Sequence, residues 1–205
     1  PQFWPEDLDY EGKKVIVIGS GATAMTIVPS MTQKGAQVTM VQRSPTYVVS
    51  RPAEDKIANT LRKWLPEKWA YAITRLKNTT LSGYFYRQTR SQPAKTKAQL
   101  LGMATANLGE EMVKAHFTPS YNPWDQRMCL IPDGDLYQSI NEGSAQVVTG
   151  DIETWTEQGL VMKDGTEVTG DIIVTATGIT LTVMSGIAFD LDGTAINFPD
   201  TFTYK

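Results

Sequence analysis

Six residues, Gly19-Ser20-Gly21-Ala22-Thr23-Ala24, constrain the fold of this chain more than any other stretch. They follow Lys13 to Ile18, a short β-branched apolar run suited to a strand buried on both faces of a parallel sheet. They lead into Thr23 to Lys34, where Met25, Ile27, Val28 and Met31 recur at helical spacing. Pro29 inside that helix is expected to kink it, and Gly35 is placed to stop it. Val38-Thr39-Met40-Val41 then reads as a second buried strand. Strand, glycine turn, helix and strand in about 30 residues make a βαβ unit. In such a unit the first glycine makes a tight turn and the second lets a pyrophosphate approach the backbone. The third position, here Ala24, needs only a small side chain. The helix N-terminus offers unpaired N–H groups and partial positive charge. Gly19, Ser20, Gly21, Ala22 and Thr23 are therefore candidate phosphate contacts, against the alternative of a glycine turn that binds nothing.

The end of the second strand bears on which dinucleotide would fit. An Asp or Glu about 20 residues beyond the glycines holds the ribose hydroxyls in NAD and FAD sites. Here the strand ends Val41-Gln42-Arg43-Ser44, with no acid nearby in sequence. A guanidinium at that point pairs with the 2′-phosphate of NADP, and a serine can add a hydrogen bond. Gln42, Arg43 and Ser44 are thus candidate contacts for NADP(H); the plain alternative for Arg43 is a solvated arginine at a strand end.

The rest of the chain changes texture twice. From Asp55 to about Gly109 the pattern is helical, through Ile57, Leu61, Trp64 and Leu65 and then Trp69, Ile73 and Leu76, punctuated by Pro66 and Pro93. Thr118 to Pro123 reads as a loop, and Asp133 as a cap for a short helix carrying Leu136, Tyr137 and Ile140. Gln146 to Thr149, Ile152 to Trp155 and Leu160 to Met162 read as short strands, with turns at Gln158-Gly159 and Asp164-Gly165. Asp171 to Gly178 is another buried strand running into a glycine loop. The expected fold is α/β: a Rossmann-like NAD(P)-binding domain with a mainly parallel sheet, a β-meander and a helical insertion. Residues 1–44 and 121–205 would form its core and 45–120 the insertion.

Composition removes several classes of function. With one cysteine, Cys129, and one histidine, His116, a Cys/His metal site is not expected, and no carboxylate cluster replaces it. An internal disulfide is impossible, which fits a reducing, cytoplasmic setting. Cys129 is expected to be a small buried hydrophobe and His116 a surface or loop residue. The net charge of −3 gives no general attraction to nucleic acid. Arg62, Lys63, Trp64, Lys68, Trp69, Arg75 and Lys77 form a basic, aromatic mixture with two readings. One is weak association with a membrane surface. The simpler expectation is that the tryptophans pack inside a helical subdomain while the charges solvate its outside.

Trp4-Pro5, the glycine loop, Gln42-Arg43-Ser44-Pro45, Tyr121-Asn122-Pro123-Trp124-Asp125-Gln126-Arg127 and Ala176-Thr177-Gly178 occur in this order. Together they resemble the NADPH domain of flavin-containing Baeyer–Villiger monooxygenases, in particular the mycobacterial ethionamide-activating type. The resemblance spans essentially the whole chain. Trp4-Pro5 match the last two residues of a Phe-x-Gly-x-x-x-His-x-x-x-Trp-Pro fingerprint whose histidine would precede Pro1. The chain thus looks like the NADPH domain that this family inserts between two segments of an FAD-binding domain. The resemblance implies a two-cofactor reaction in which NADPH reduces FAD, and the reduced flavin with O2 converts a ketone to an ester or oxygenates sulfur. It implies a catalytic role for Arg127 in holding negative charge on the oxygenated flavin; the plain alternative is a loop arginine paired with Asp125. Gln126 stands where many relatives have a lysine on the 2′-phosphate, which places more of that burden on Arg43. Thr177 and Gly178 would line the nicotinamide side of the cleft. The implied partners are the FAD-binding domain of the parent chain and a small ketone or thio-compound. By itself the chain would bind NADP(H) without turnover. Two rival readings are a non-catalytic NADPH-sensing or scaffold module and the NADPH domain of another two-dinucleotide-fold oxidoreductase. Of the latter, a disulfide reductase is disfavoured by the lack of a Cys-x-x-Cys pair.

Overall fold

Val15 and Val17 of strand β1 (Lys14–Ile18) enter one core, and Ile16 and Ile18 enter another. Side chains alternate along a strand, so an unbroken apolar run is satisfied only in a sheet covered on both faces. The computed structural model, which describes residues 2–126, 128–179, 187–197 and 201, contains that sheet. β1 lies between β2 (Gln37–Gln42) and β9 (Ile172–Thr175), and β2 also pairs with β5 (Ala145–Thr149); every pairing is parallel. Helices α1 (Ala22–Thr32) and α6 (Asp135–Asn141) cover one face, setting Met25, Val28, Leu136 and Tyr137 among Val17, Met40 and Val147. The other face meets an antiparallel meander of β6 (Ile152–Thr156), β7 (Gly159–Met162) and β8 (Glu167–Thr169). Leu160, Met162 and Val168 of the meander pack there on Ile16, Ile18 and Val41. This is the expected Rossmann-like α/β architecture. A hairpin, β10 (Phe189–Leu191) with β11 (Thr194–Ile196), is an addition the sequence pattern did not announce.

Pro29 stays inside α1, buried, and its carbonyl still accepts from the Gln33 N–H at 3.1 Å. The turn after the helix closes through Gly35, whose φ of +87° is open to glycine and strained for other residues.

Four helices follow the first βαβ unit: α2 (Lys56–Trp64), α3 (Glu67–Ser91), α4 (Pro93–Leu108) and α5 (Glu110–His116). Breaks fall at Pro66 and Pro93 as the sequence indicates. Three expectations are corrected. Residues 47–51 are a strand, β3 (Tyr47–Arg51), paired in parallel with β4 (Met128–Pro132), so the segment from 45 to 120 is not helical throughout. Asp133 does not cap α6, which starts after Gly134. The β3–β4 pairing brings the Asp133 N–H onto the Arg51 carbonyl at 2.8 Å, and its carboxylate accepts from the Ala53 N–H at 3.1 Å instead.

The tryptophans, third, do not lie where their spacing suggests. Trp64 is 82% exposed and Trp69 64% exposed, so they are not the packing of a helical subdomain. Helix α2 packs on α3, and α3 on α4, but the apolar residues these helices bury are small: Ala58, Ala70 and Ala104. The large side chains of α2 and α3 are left outside. Of the 25 residues of α3, only Ala70 and Thr89 are buried. Val113 of α5 and Phe117 after it, by contrast, join the main core. Among the described residues, no helix is long and apolar enough to cross a membrane, and no cluster of His, Cys, Asp or Glu could hold a metal ion.

Candidate functional site

Because the four strands are parallel and in step, their C-terminal ends finish side by side: Ile18 stands opposite Val41 and Thr175, and Gln42 opposite Thr149. The loops leaving those ends are stitched together by backbone hydrogen bonds. The N–H of Gly19 donates to Val41 O (2.8 Å), that of Ala176 to Ile18 O (2.7 Å) and that of Gly150 to Gln42 O (2.9 Å). Ser20 Oγ adds a bond to Ser44 O at 3.3 Å. Between the loops lies a cavity of about 650 Å³. That is within the range of ligand sites, and it stands where open α/β sheets place their ligands.

The glycine loop shapes the floor of this cavity. A Cβ on Gly19 would stand 2.5 Å from the Ala176 carbonyl oxygen, at a φ of +131°. Gly19 is therefore required by the protein's own packing. Gly21 is different, since a Cβ there meets nothing within 4 Å. It is the N-cap of α1, with no side-chain cap and no acidic residue in the first turn, so the positive end of the helix is left uncompensated by the protein. Arg43, exposed at the end of β2, takes no part in the ion pairs found among the described residues. A bare helix N-terminus beside an unpaired guanidinium is an arrangement for two phosphate groups.

The structure brings together Gly19, Ser20, Gly21, Ala22, Thr23, Arg43, Ser44, Thr177 and Gly178 around this one cavity. Gln126 lines a smaller adjacent space of about 230 Å³, which shares Ser20, Gly21 and Ser44 with the first. Gln42 is turned away. Val38, Met40 and Gln42 share one face of β2, so the amide points to the helical layer. There it is buried, with Nε2 donating to His116 O (2.7 Å) and Thr149 Oγ1 (2.9 Å), while its Oε1 is buried without a partner. Arg127 lies outside the described residues. Asp125 is paired with Arg90 at 2.7 Å, and that guanidinium holds its carboxyl below the usual range.

Two surrounding residues depart from what the sequence suggests. His116 is half-buried at the end of α5, with Nδ1 2.8 Å from Thr149 Oγ1, and burial pushes its pKa down. It ends a helix rather than lying in a loop, and it is only partly at the surface. An acid does stand at the cavity: Asp151, from the loop after β5, lines it together with Arg43. Its carboxylate is 3.6 Å from Lys163 Nζ, and the Lys163 N–H donates to its carbonyl at 2.9 Å. Thr149-Gly150-Asp151 repeats the strand-end-then-glycine pattern of Ala176-Thr177-Gly178, and that repeat was the available signal. Cys129 is buried as expected, with Sγ 3.6 Å from Ser20 O.

No family model matches the chain. Curated relatives match its full length. It is 46% identical to the FAD-containing monooxygenases MymA and EthA of Mycobacterium tuberculosis, and 45% identical to AlmA of Acinetobacter baylyi, named as an FAD-binding monooxygenase. In each case the match takes in all of this chain and about two fifths of the relative, 41–42%. Among solved structures, OTEMO in complex with FAD and NADP aligns with a TM-score of 0.61 at 18% identity, over 86% of this chain and 40% of that one. Oxidized steroid monooxygenase bound to NADP aligns at 0.60 and 21%, over 85% and 40%. The fold is a Rossmann-like α/β domain with a cavity at the C-terminal ends of its parallel strands. The chain is homologous, along its whole length, to a segment of the FAD-containing monooxygenases, which bears out the resemblance seen in its motifs.

Proposed function

We propose that this chain is the NADPH-binding part of an FAD-dependent monooxygenase and that the 650 Å³ cavity holds the NADPH. The observation that carries this reading is the pairing of the uncapped α1 N-terminus with Arg43 at the mouth of one cavity. The residues fit the cofactor. Backbone N–H groups of the first turn of α1 hold the pyrophosphate, with Gly21 leaving room for it. Arg43, with Ser44, binds the 2′-phosphate, and Thr177 and Gly178 border the nicotinamide end. Asp151 accepts from adenosine hydroxyl or amino groups, and Lys163 offsets its charge. Gln42 serves as an internal strut joining β2, β5 and α5.

NADPH supplies a hydride to the flavin, and the resemblance assigns Arg127 to the oxygenation that follows, on a ketone or thio-compound in the cytoplasm. Among the described residues one cavity has the features of a dinucleotide site. The 205 residues are therefore expected to bind NADPH without oxidising it. Titration of the chain with NADPH and NADH tests the assignment. Loss of hydrogen bonds to a charged group corresponds to about 10- to 150-fold in affinity. Arg43→Ala should weaken NADPH by that factor and leave NADH within about threefold. Equal weakening of the two nucleotides would remove Arg43 from the 2′-phosphate.

A further inference from the structure

The exposed faces of α2 and α3 are not used by the cofactor site. On α2, Ile57, Leu61 and Trp64 follow the i, i+4, i+7 spacing of a single helix face, and on α3 so do Trp69, Ile73 and Leu76. Five of these six side chains are exposed, Leu61 being the half-buried one. Between Lys56 and Lys77 lie six basic residues and one acidic one, a local net charge of +5 in a chain whose total is −3. Lys77 is taken up by Asp55, while the other five basic residues are exposed and in no ion pair among those described. Asp55 also caps α2 through the Ile57 and Ala58 N–H groups, so one side chain clamps the two helices together.

We propose that the α2–α3 hairpin docks this protein on an anionic lipid surface, lying in the plane of the headgroups with its tryptophans inserted. A protein partner is disfavoured by composition, because the centres of protein interfaces are depleted in lysine. Here Lys63 and Lys68 flank Trp64 and Trp69 directly. Lysine and arginine interleaved with tryptophan suit the headgroup layer, where the indole rests at the apolar boundary and the cations face anionic lipid. Neither helix is long and apolar enough to span the bilayer, so the attachment is to one face.

Flotation of the chain with vesicles tests this, comparing phosphatidylcholine alone with phosphatidylcholine containing a third of phosphatidylglycerol. Binding is expected to the anionic vesicles only, and to fall as salt is raised. Each basic charge near the surface contributes about fivefold, so Lys63→Gln with Lys68→Gln should weaken binding about 25-fold. Trp64→Ala with Trp69→Ala should weaken it by about tenfold or more. Trp64→Phe with Trp69→Phe should keep binding but lose the blue shift of tryptophan emission on adding vesicles. All four positions are exposed, and circular dichroism confirms the fold of each variant. Absence of binding, equal binding to neutral vesicles, or binding indifferent to the Lys→Gln and Trp→Ala substitutions would overturn the proposal. So would a full-length protein that ignores vesicles because its remaining domains cover this hairpin.

Discussion

Two glycines two residues apart make opposite predictions. Replacing Gly19 by alanine puts a Cβ 2.5 Å from the Ala176 carbonyl oxygen and 2.9 Å from its carbon, backbone atoms that cannot rotate aside. The residue would also be held at a φ of +131°. The conformational strain alone costs about 1–3 kcal/mol. Displacing Ala176 endangers its 2.7 Å hydrogen bond to Ile18, worth roughly another 1 kcal/mol. Together these give about 2–4 kcal/mol, a fall in Tm of roughly 5–15 °C for a domain of this size. Gly21→Ala meets no atom and keeps an ordinary φ of −83°. A slightly poorer N-cap, about 0.5 kcal/mol, is offset by the lower entropy of the unfolded chain, so Tm should move by no more than about 2 °C. Its methyl group would nevertheless occupy the approach to the α1 N-terminus. Losing phosphate hydrogen bonds there should weaken NADPH about 10- to 150-fold. Calorimetric melting and NADPH fluorescence titration of both variants read the two quantities separately. A Gly21→Ala protein that binds NADPH like the parent would refute the pyrophosphate site, and an undiminished Tm for Gly19→Ala would refute the close approach of β9.

Lys163→Met removes the cation beside Asp151 and leaves that carboxylate unscreened in the cavity proposed to take the 2′-phosphate. NADPH should weaken several-fold, by about 1 kcal/mol, with NADH unchanged, and titrations in which both respond alike would exclude the role. His116 is the one histidine, and burial holds its pKa below the ordinary value. The unfolded chain therefore takes up that proton first as pH falls, so the stability it supplies is present above about pH 6.5 and declines below it. Unfolding free energy should drop between pH 7 and 5 in the parent, with a slope no steeper than about 1.4 kcal/mol per pH unit for one proton, and the slope should flatten in His116→Gln, as denaturant titration across that range reads. Identical slopes would show that another group titrates.

The βαβ unit was legible because its evidence is local: apolar run, glycines, helical spacing and a second run all lie within residues 13 to 41. β3 was hard to see because its partner β4 is some 80 residues away (Ala53 meets Asp133 across a separation of 80), and the strand-favouring Tyr47-Val48-Val49 is too short to stand out without that partner. Asp151 escaped for a related reason, since it joins Arg43 at the cavity only through the parallel placement of β5 beside β2. Gln42 was within reach of the sequence. Its parity with Val38 and Met40 already turned it from the cavity, and proximity to Arg43 outweighed that alternation. The tryptophans show a firmer limit. Amphipathic spacing fixes which side chains share a face, but whether that face meets protein depends on what the helices find to pack against, and the apolar residues α2 and α3 bury are alanines.

The contact of Gly19 with Ala176 also bears on how the protein is made. β1 is paired on one side with β2, next in the chain, and on the other with β9, tied to it by the Lys14 N–H to Asp171 carboxylate bond across 157 residues. On the ribosome the glycine turn emerges well before β9, so one edge of β1 waits until the long intervening stretch has been translated. Closing so long a loop is slow, and an apolar strand edge left open meanwhile invites pairing with other nascent chains. The cleft is therefore among the last features to form, and synthesis that halts before β9 leaves a glycine turn without the backbone that shapes it.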